Sequence, residues 1–421
     1  MTATSSTIPA ESPARAAPTR FPCFEGLRAV AALSVLLYHV FLATVPTWVS
    51  TGMWEWIDRL GSFGVCVFFL ISGFLLYRPF VVAHFEDRPP PRLGEFWKRR
   101  FVRIFPAYWL ALSVSVYVLG VNSIRGNFLD LFTFYSLVQS YRGGYPLLGL
   151  DVAWSLVIEV SFYLALPFIA WAIRACARGA APLHQRLRVQ LIGLAVLYAA
   201  AVIARVSWWW ILSSPGVHRG SWFPIGQLPA WLIGYLDWFA LGMLLAVGSA
   251  WLAMGRGLPW VVHALGRSPA ACWLLALELY WVSLQLHLGE PFAPGNGWQA
   301  LGLLGIHGAV AFFFIFPAVF GPQDRGAIRR LLRTRVVVYL GIISYGIYLW
   351  HKPFTELAAR WAGDGSVSDD FFTQLAIIMA FTLAAASASY FVLERPLINW
   401  SRGKRRFSRK QSEPRAPTAG I

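Results

Sequence analysis

A bundle of about ten membrane-spanning α-helices, an all-α polytopic fold, is what this sequence predicts. Three observations carry that expectation. The 421 residues are 57% hydrophobic and 16% aromatic, with a mean hydropathy of +0.55. Only 13% are charged, about half of what a soluble chain of this length carries. The apolar runs are long, and short charged loops separate them.

The expected spans are Phe24–Val45, Gly61–Val82, Phe101–Val121, Trp154–Arg174, Val189–Leu212, Ala230–Ala250, Ser268–Leu288, Gln299–Phe320, Val336–Glu356 and Phe371–Val392. Each matches a hydrocarbon core of about 30 Å. Lys and Arg alternate between loops. Arg88, Arg92, Lys98, Arg99 and Arg100 fall on one side, with Arg178, Arg186, Arg188, Arg256, Arg267 and the run Arg325–Arg335. The opposite loops hold Arg59, Arg125, Arg142, Arg219 and Arg360. The rich side faces the cytoplasm, which puts both termini inside. The net charge of +16 is therefore read as topology, and nucleic acid is excluded as a partner. Residues 1–23 read as a disordered tail, 24–400 as the membrane domain, and 401–421 as a basic tail against anionic lipid. The segment Asn122–Ala153 is expected to hold a short interfacial or re-entrant piece around Leu129–Val138. No extracytoplasmic domain is expected. Four scattered cysteines without CxxC spacing argue against a disulfide framework or a metal site.

Ionisable groups inside spans are costly and mark function. His39 lies about two-thirds through the first span, and Arg28 precedes it by eleven residues. At about 100° per residue the two share one helical stripe, roughly 16 Å apart along the axis. Depth at 1.5 Å per residue puts His39, His351, Glu159 and Asp237 all in the outer half of the membrane. Such a layer can supply a base, its orienting partner and a proton route. His39 is the expected base and Glu159 its support, with Ser155, Asp237 and His351 as further candidates. Glu159 is also placed to orient Ser155, one turn back. Arg100 and Arg103, spaced i, i+3, share a face at the cytoplasmic start of the third span. With Arg28 they form a cationic cluster whose forks suit phosphate oxygens. A nucleotide-bearing acyl donor such as acyl-CoA is the ligand this suggests. Arg205 is expected to snorkel to the outer interface. Glu278 and His307 also sit near mid-membrane, without an assigned role. GxSxG, Walker A, GxGxxG and HExxH patterns are absent.

Seven segments occur in order: FEGLRAVAALSVLLYHV, GVCVFFLISGFLLYRPF, FWKRRFVRIFPAYWLAL, WSLVIEVSFYLALP, YLDWFALGMLLA, ISYGIYLWHKPF and YFVLERPL. Together they resemble the acyltransferase 3 family of integral membrane O-acyltransferases, from about Phe24 to Trp400. The resemblance implies transfer of acetyl, succinyl or longer acyl groups from acyl-CoA to hydroxyls of a carbohydrate, such as a cell-surface glycan or glycolipid. It implies a cell-membrane location and acyl-CoA as co-substrate, with no bound cofactor. The family's Arg-x10-His pattern maps onto Arg28 and His39, its Arg-x-x-Arg onto Arg100 and Arg103, and its WSLxxE onto Trp154, Ser155 and Glu159. The chain departs at Cys66, where many members have an acidic residue, at Ala153 and at Val160. A proton-coupled transporter or lipid-linked substrate flippase is the competing class, since it too uses buried charges. CoA dependence separates the two.

Overall fold

The computed structural model describes residues 21–45, 53–122, 124, 126–142, 148–177, 181–213, 231–286 and 297–401. Every regular element among them is helical. In chain order these are α1 (Phe24–Thr44), α2 (Met53–Asp58), α3 (Leu60–Phe85), α4 (Leu93–Ser113), α5 (Phe128–Tyr135), α6 (Ala153–Ala175), α7 (Leu183–Ser213) and α8 (Leu236–Ala253). Then follow α9 (Trp260–Arg267), α10 (Pro269–Gln285), α11 (Gly297–Val319), α12 (Ala327–Leu332), α13 (Arg335–Ile342), α14 (Ser344–Gly363) and α15 (Phe371–Ser389). Of the tails expected at 1–23 and 401–421, residues 1–20 and 402–421 lie outside the described residues, as do Arg125, Arg178 and Arg219.

Eight helical segments among the described residues are long and apolar enough to cross a membrane. They account for eight of the expected spans. The other two differ for physical reasons. α10 has only 17 residues, about 26 Å of helix. The expected ninth span is broken at Ile343 into α13 and α14, and α14 carries Lys352, Glu356 and Arg360. Leu129–Val138 overlaps the eight-residue α5, capped by the Asn127 side chain on the Asp130 N–H. It is too short to span. Its buried Asp130 pairs with Arg142 at 2.6 Å.

α3 and α8 form the most extensive contact and are the most buried of the eight segments, whereas α7 and α15 are the least. Two glycines let α3 and α8 approach. A Cβ on Gly242 would run into the Leu70 carbonyl, and one on Gly73 into the Phe239 carbonyl. Small residues at such crossings let backbones meet where lipid offers no hydrophobic driving force. α1 packs on α3, α13 and α14. That arrangement brings the His39 and His351 helices side by side.

Candidate functional site

The site begins with two histidines. The His351 Nδ1–H donates to the Ile347 carbonyl at 3.1 Å, one turn back on α14. A carbonyl only accepts, so Nε2 of His351 carries the lone pair. That Nε2 lies 3.2 Å from Nδ1 of His39, which also faces the Val35 carbonyl at 2.9 Å. Nδ1 of His39 must then hold the proton, shared between two acceptors. Its Nε2 is left with a free lone pair and no partner within the described residues. His39 lines a cavity of about 230 Å³ together with Asp151, Lys352, Asp58 and Arg59, walled by Trp154, Tyr235, Trp238 and Tyr38.

A second cavity, about 70 Å³, is lined by Arg28, Arg100, Arg103, Glu159, Ser72 and Tyr163. Here Ser72 donates to Glu159 Oε1 at 2.6 Å, and the Tyr163 hydroxyl donates to the same oxygen. Arg28 pairs with Glu25 at 2.8 Å. The Arg100 guanidinium lies 5.9 Å from the Tyr163 ring centre, and its Nε is buried without a hydrogen bond. Neither Arg100 nor Arg103 forms an ion pair with a described carboxylate. Three guanidiniums against one lining carboxylate leave a net positive chamber suited to an anion. Beyond it, a cleft of about 510 Å³ shares Leu75, Leu76 and Arg100 and adds Arg78, Arg88, Arg92 and Arg99.

Val65 and Tyr348 line both the cationic cavity and the histidine cavity, and so stand between them. The Tyr348 hydroxyl donates to the Val152 carbonyl at 2.9 Å and lies 2.6 Å from Ser155 Oγ.

This arrangement separates residues that depth alone puts together. Glu159 is with the arginines and not beside His39; the group touching His39 is His351. Ser155 is engaged with Tyr348, and Glu159 does not orient it. Asp237 lines neither cavity. It holds Arg205 through two contacts, 3.0 and 2.6 Å, and Arg205 also donates to the Gly234 carbonyl at 2.6 Å. Arg205 is thus buried in an ion pair between α7 and α8 instead of snorkelling. His307 is buried on α11, with Nδ1 2.9 Å from Ser62 Oγ, and Glu278 is exposed on α10. Asp151, Lys352, Tyr348, Ser72 and Tyr163 are site residues that sequence reasoning missed. Lys352 left a usable signal, being a cation next to His351 inside the expected ninth span.

Residues 21–391 match the acyltransferase domain of acyltransferase 3 proteins, nearly the whole described chain. The chain belongs to the acyltransferase 3 family. It is 27% identical over 416 residues to the "Putative peptidoglycan O-acetyltransferase YrhL" of Bacillus subtilis, covering 92% of this chain and 56% of that protein. It is 24% identical over 409 residues to the peptidoglycan O-acetyltransferase OatA of Listeria monocytogenes, covering 91% of this chain and 57% of that protein. The chain thus spans little more than half the length of these relatives. No solved structure matches it. Membership in a membrane acyltransferase family and several apolar helices agree on a multi-pass membrane protein.

Proposed function

We propose that this chain is an acyl-CoA-dependent O-acetyltransferase of the cell membrane, acting on a hydroxyl of an outer-face carbohydrate such as peptidoglycan. The observation that supports this reading best is the pair of cavities meeting at Val65 and Tyr348, one lined by arginines and the other holding a histidine with a free lone pair. The cationic cavity is too small for a nucleotide, but the arginine-lined cleft beside it is not. In this reading the donor's phosphates lie on the cleft arginines and Arg100, with Arg103 and Arg28 deeper. The thioester reaches past Val65 and Tyr348. His39 Nε2 takes the proton of the acceptor hydroxyl as its oxygen attacks the thioester carbon, and the CoA thiolate leaves. His351 holds the His39 Nδ1–H and so keeps the base in the productive tautomer. The relatives' names favour peptidoglycan over other carbohydrates.

The test uses purified protein, acetyl-CoA labelled in the acetyl group and peptidoglycan fragments, following thiol release and label transfer. His39→Ala should cut transfer by about 100-fold or more with the protein still folded. Arg103→Ala should chiefly raise KM for acetyl-CoA. Wild-type-like turnover in His39→Ala removes the base assignment. No CoA-dependent transfer by wild type favours the transporter class.

A further inference from the structure

Acyl transfer through a thioester needs more than a base. As the hydroxyl oxygen attacks, the thioester carbonyl oxygen gains a full negative charge, and in a low-dielectric site a preorganised donor there is worth more than in water. The proposed function so far supplies no such donor. We propose that Lys352 is the group that stabilises this oxyanion.

Lys352 follows His351 on α14 and lines the same cavity as His39. Its ammonium is held from two sides, by Asp151 Oδ2 at 3.0 Å and by Glu356 Oε1 at 3.8 Å. These two carboxylates are the ion-pair partners of the ammonium among the described residues. They also fix its position, since Asp151 enters from the loop before α6 and Glu356 from the next turn of α14. An ammonium carries three N–H donors. Ion pairing with two carboxylates therefore leaves donor capacity for a ligand in the cavity. Arg59 is the other cation lining this cavity. Lys352, by contrast, directly follows His351, whose Nε2 lies 3.2 Å from His39 Nδ1, so α14 brings this cation to the base's side of the cavity.

The step balances. The acceptor O–H bond breaks as a C–O bond forms to the thioester carbon, and His39 Nε2 takes the proton. The carbonyl π pair moves onto oxygen and is met by the Lys352 N–H. Collapse restores the carbonyl and expels the CoA thiolate, which takes the proton back from His39. Lys352 stays protonated throughout. Asp151 and Glu356 are positioning residues that touch neither substrate.

The inference rests on the proposed function, and the experiment separates the two. The full chain, reconstituted in nanodiscs, is assayed with labelled acetyl-CoA and peptidoglycan fragments as wild type, Lys352→Met, Lys352→Arg and the triple variant Lys352→Met/Asp151→Asn/Glu356→Gln. Lys352→Met should lower kcat by about 100-fold or more, with both KM values within about twofold of wild type. Lys352→Arg should recover part of that loss, because it keeps a charged donor. The triple variant carries no uncompensated carboxylate, and it should be as slow as Lys352→Met. A triple variant with the wild-type rate would mean that stranded carboxylates caused the loss, which overturns the proposal. So would a rise in acceptor KM at unchanged kcat, the mark of a binding anchor. A folded wild type that transfers no label defeats the proposed function and this inference together, whereas an active wild type with a fast triple variant defeats this inference alone.

Discussion

The buried pair Arg205–Asp237 offers a sharp division between structure and chemistry, because Asp237 reads from sequence as a candidate site residue. Its carboxylate is 1% exposed and the Arg205 side chain 9%, with contacts of 2.6 and 3.0 Å. Removing Asp237 strands a guanidinium between α7 and α8. At an effective dielectric of about 20, two unit charges about 4 Å apart attract by about 4 kcal/mol. Breaking buried pairs costs about 3–5 kcal/mol in practice. Asp237→Ala should therefore lose about 3–5 kcal/mol of unfolding free energy, with low activity because little protein stays folded. The charge-free double variant Arg205→Met/Asp237→Leu removes both charges and fills the space with apolar atoms. Such replacements are often neutral or stabilising. It should regain most of the stability and transfer acetyl at the wild-type rate per folded molecule. Unfolding is followed by SDS titration in mixed micelles, and activity by label transfer normalised to folded protein. A double variant that folds like wild type yet transfers nothing would refute the structural assignment and return Asp237 to the chemistry.

Two further outcomes follow from the geometry. Glu159 is the carboxylate lining a chamber with three arginines, so Glu159→Gln should lower KM for acetyl-CoA severalfold by raising the chamber's net charge, whereas a large loss of kcat at unchanged KM would restore Glu159 as the partner of the base. At the start of α15, Asp370 accepts from the Thr373 and Phe372 N–H groups and from Ser368 Oγ; these donors, Thr373 foremost, hold its carboxyl down at about 2. A depressed carboxyl stabilises the fold above its unfolded value of about 3.9, and that contribution is lost as pH falls from about 4 to about 2. Asp370→Asn should therefore flatten the acid limb of a melting-temperature profile in that window, and an unchanged limb would show that the cap does not couple to global unfolding.

The helical class, most spans and the Arg28–His39 stripe were legible because they depend on periodicity within one segment. The grouping of the site was less so, and the reason is registration between helices. Depth counting takes every helix to start at the membrane surface. α4 starts at Leu93, two turns before the span expected from hydropathy, so Arg100 and Arg103 lie within the helix and not at its first turn. On α6, Val152 and Ser155 already meet the Tyr348 wall. Glu159 is one turn further along, about 6 Å below it. That offset puts Glu159 on the arginine side of the wall and not beside His39. The His39–His351 contact joins residues 312 apart in sequence. It depends on α1 and α14 packing together, which no local pattern encodes.

The wall at Val65 and Tyr348 bears on how a membrane enzyme of this design can work at all. A donor arriving from the arginine-rich end and an acceptor arriving at the histidine end need a meeting point, but an open passage would let water and ions through. A buried hydroxyl pair solves part of this. Tyr348 of α14 is tied to the Val152 carbonyl and to Ser155, both at the start of α6. Every polar atom in that tie has a partner, so closing the wall costs little. A single arm that displaces the Tyr348 ring would open it by breaking two hydrogen bonds and the ring's packing against Phe68. On the proposed reading the donor's thioester is that arm, which makes passage conditional on the substrate being in place. Beyond the wall the thioester emerges beside His39 Nε2 and the Lys352 ammonium, in a chamber whose aromatic walls, Trp154, Tyr235 and Trp238, suit the flat faces of a sugar.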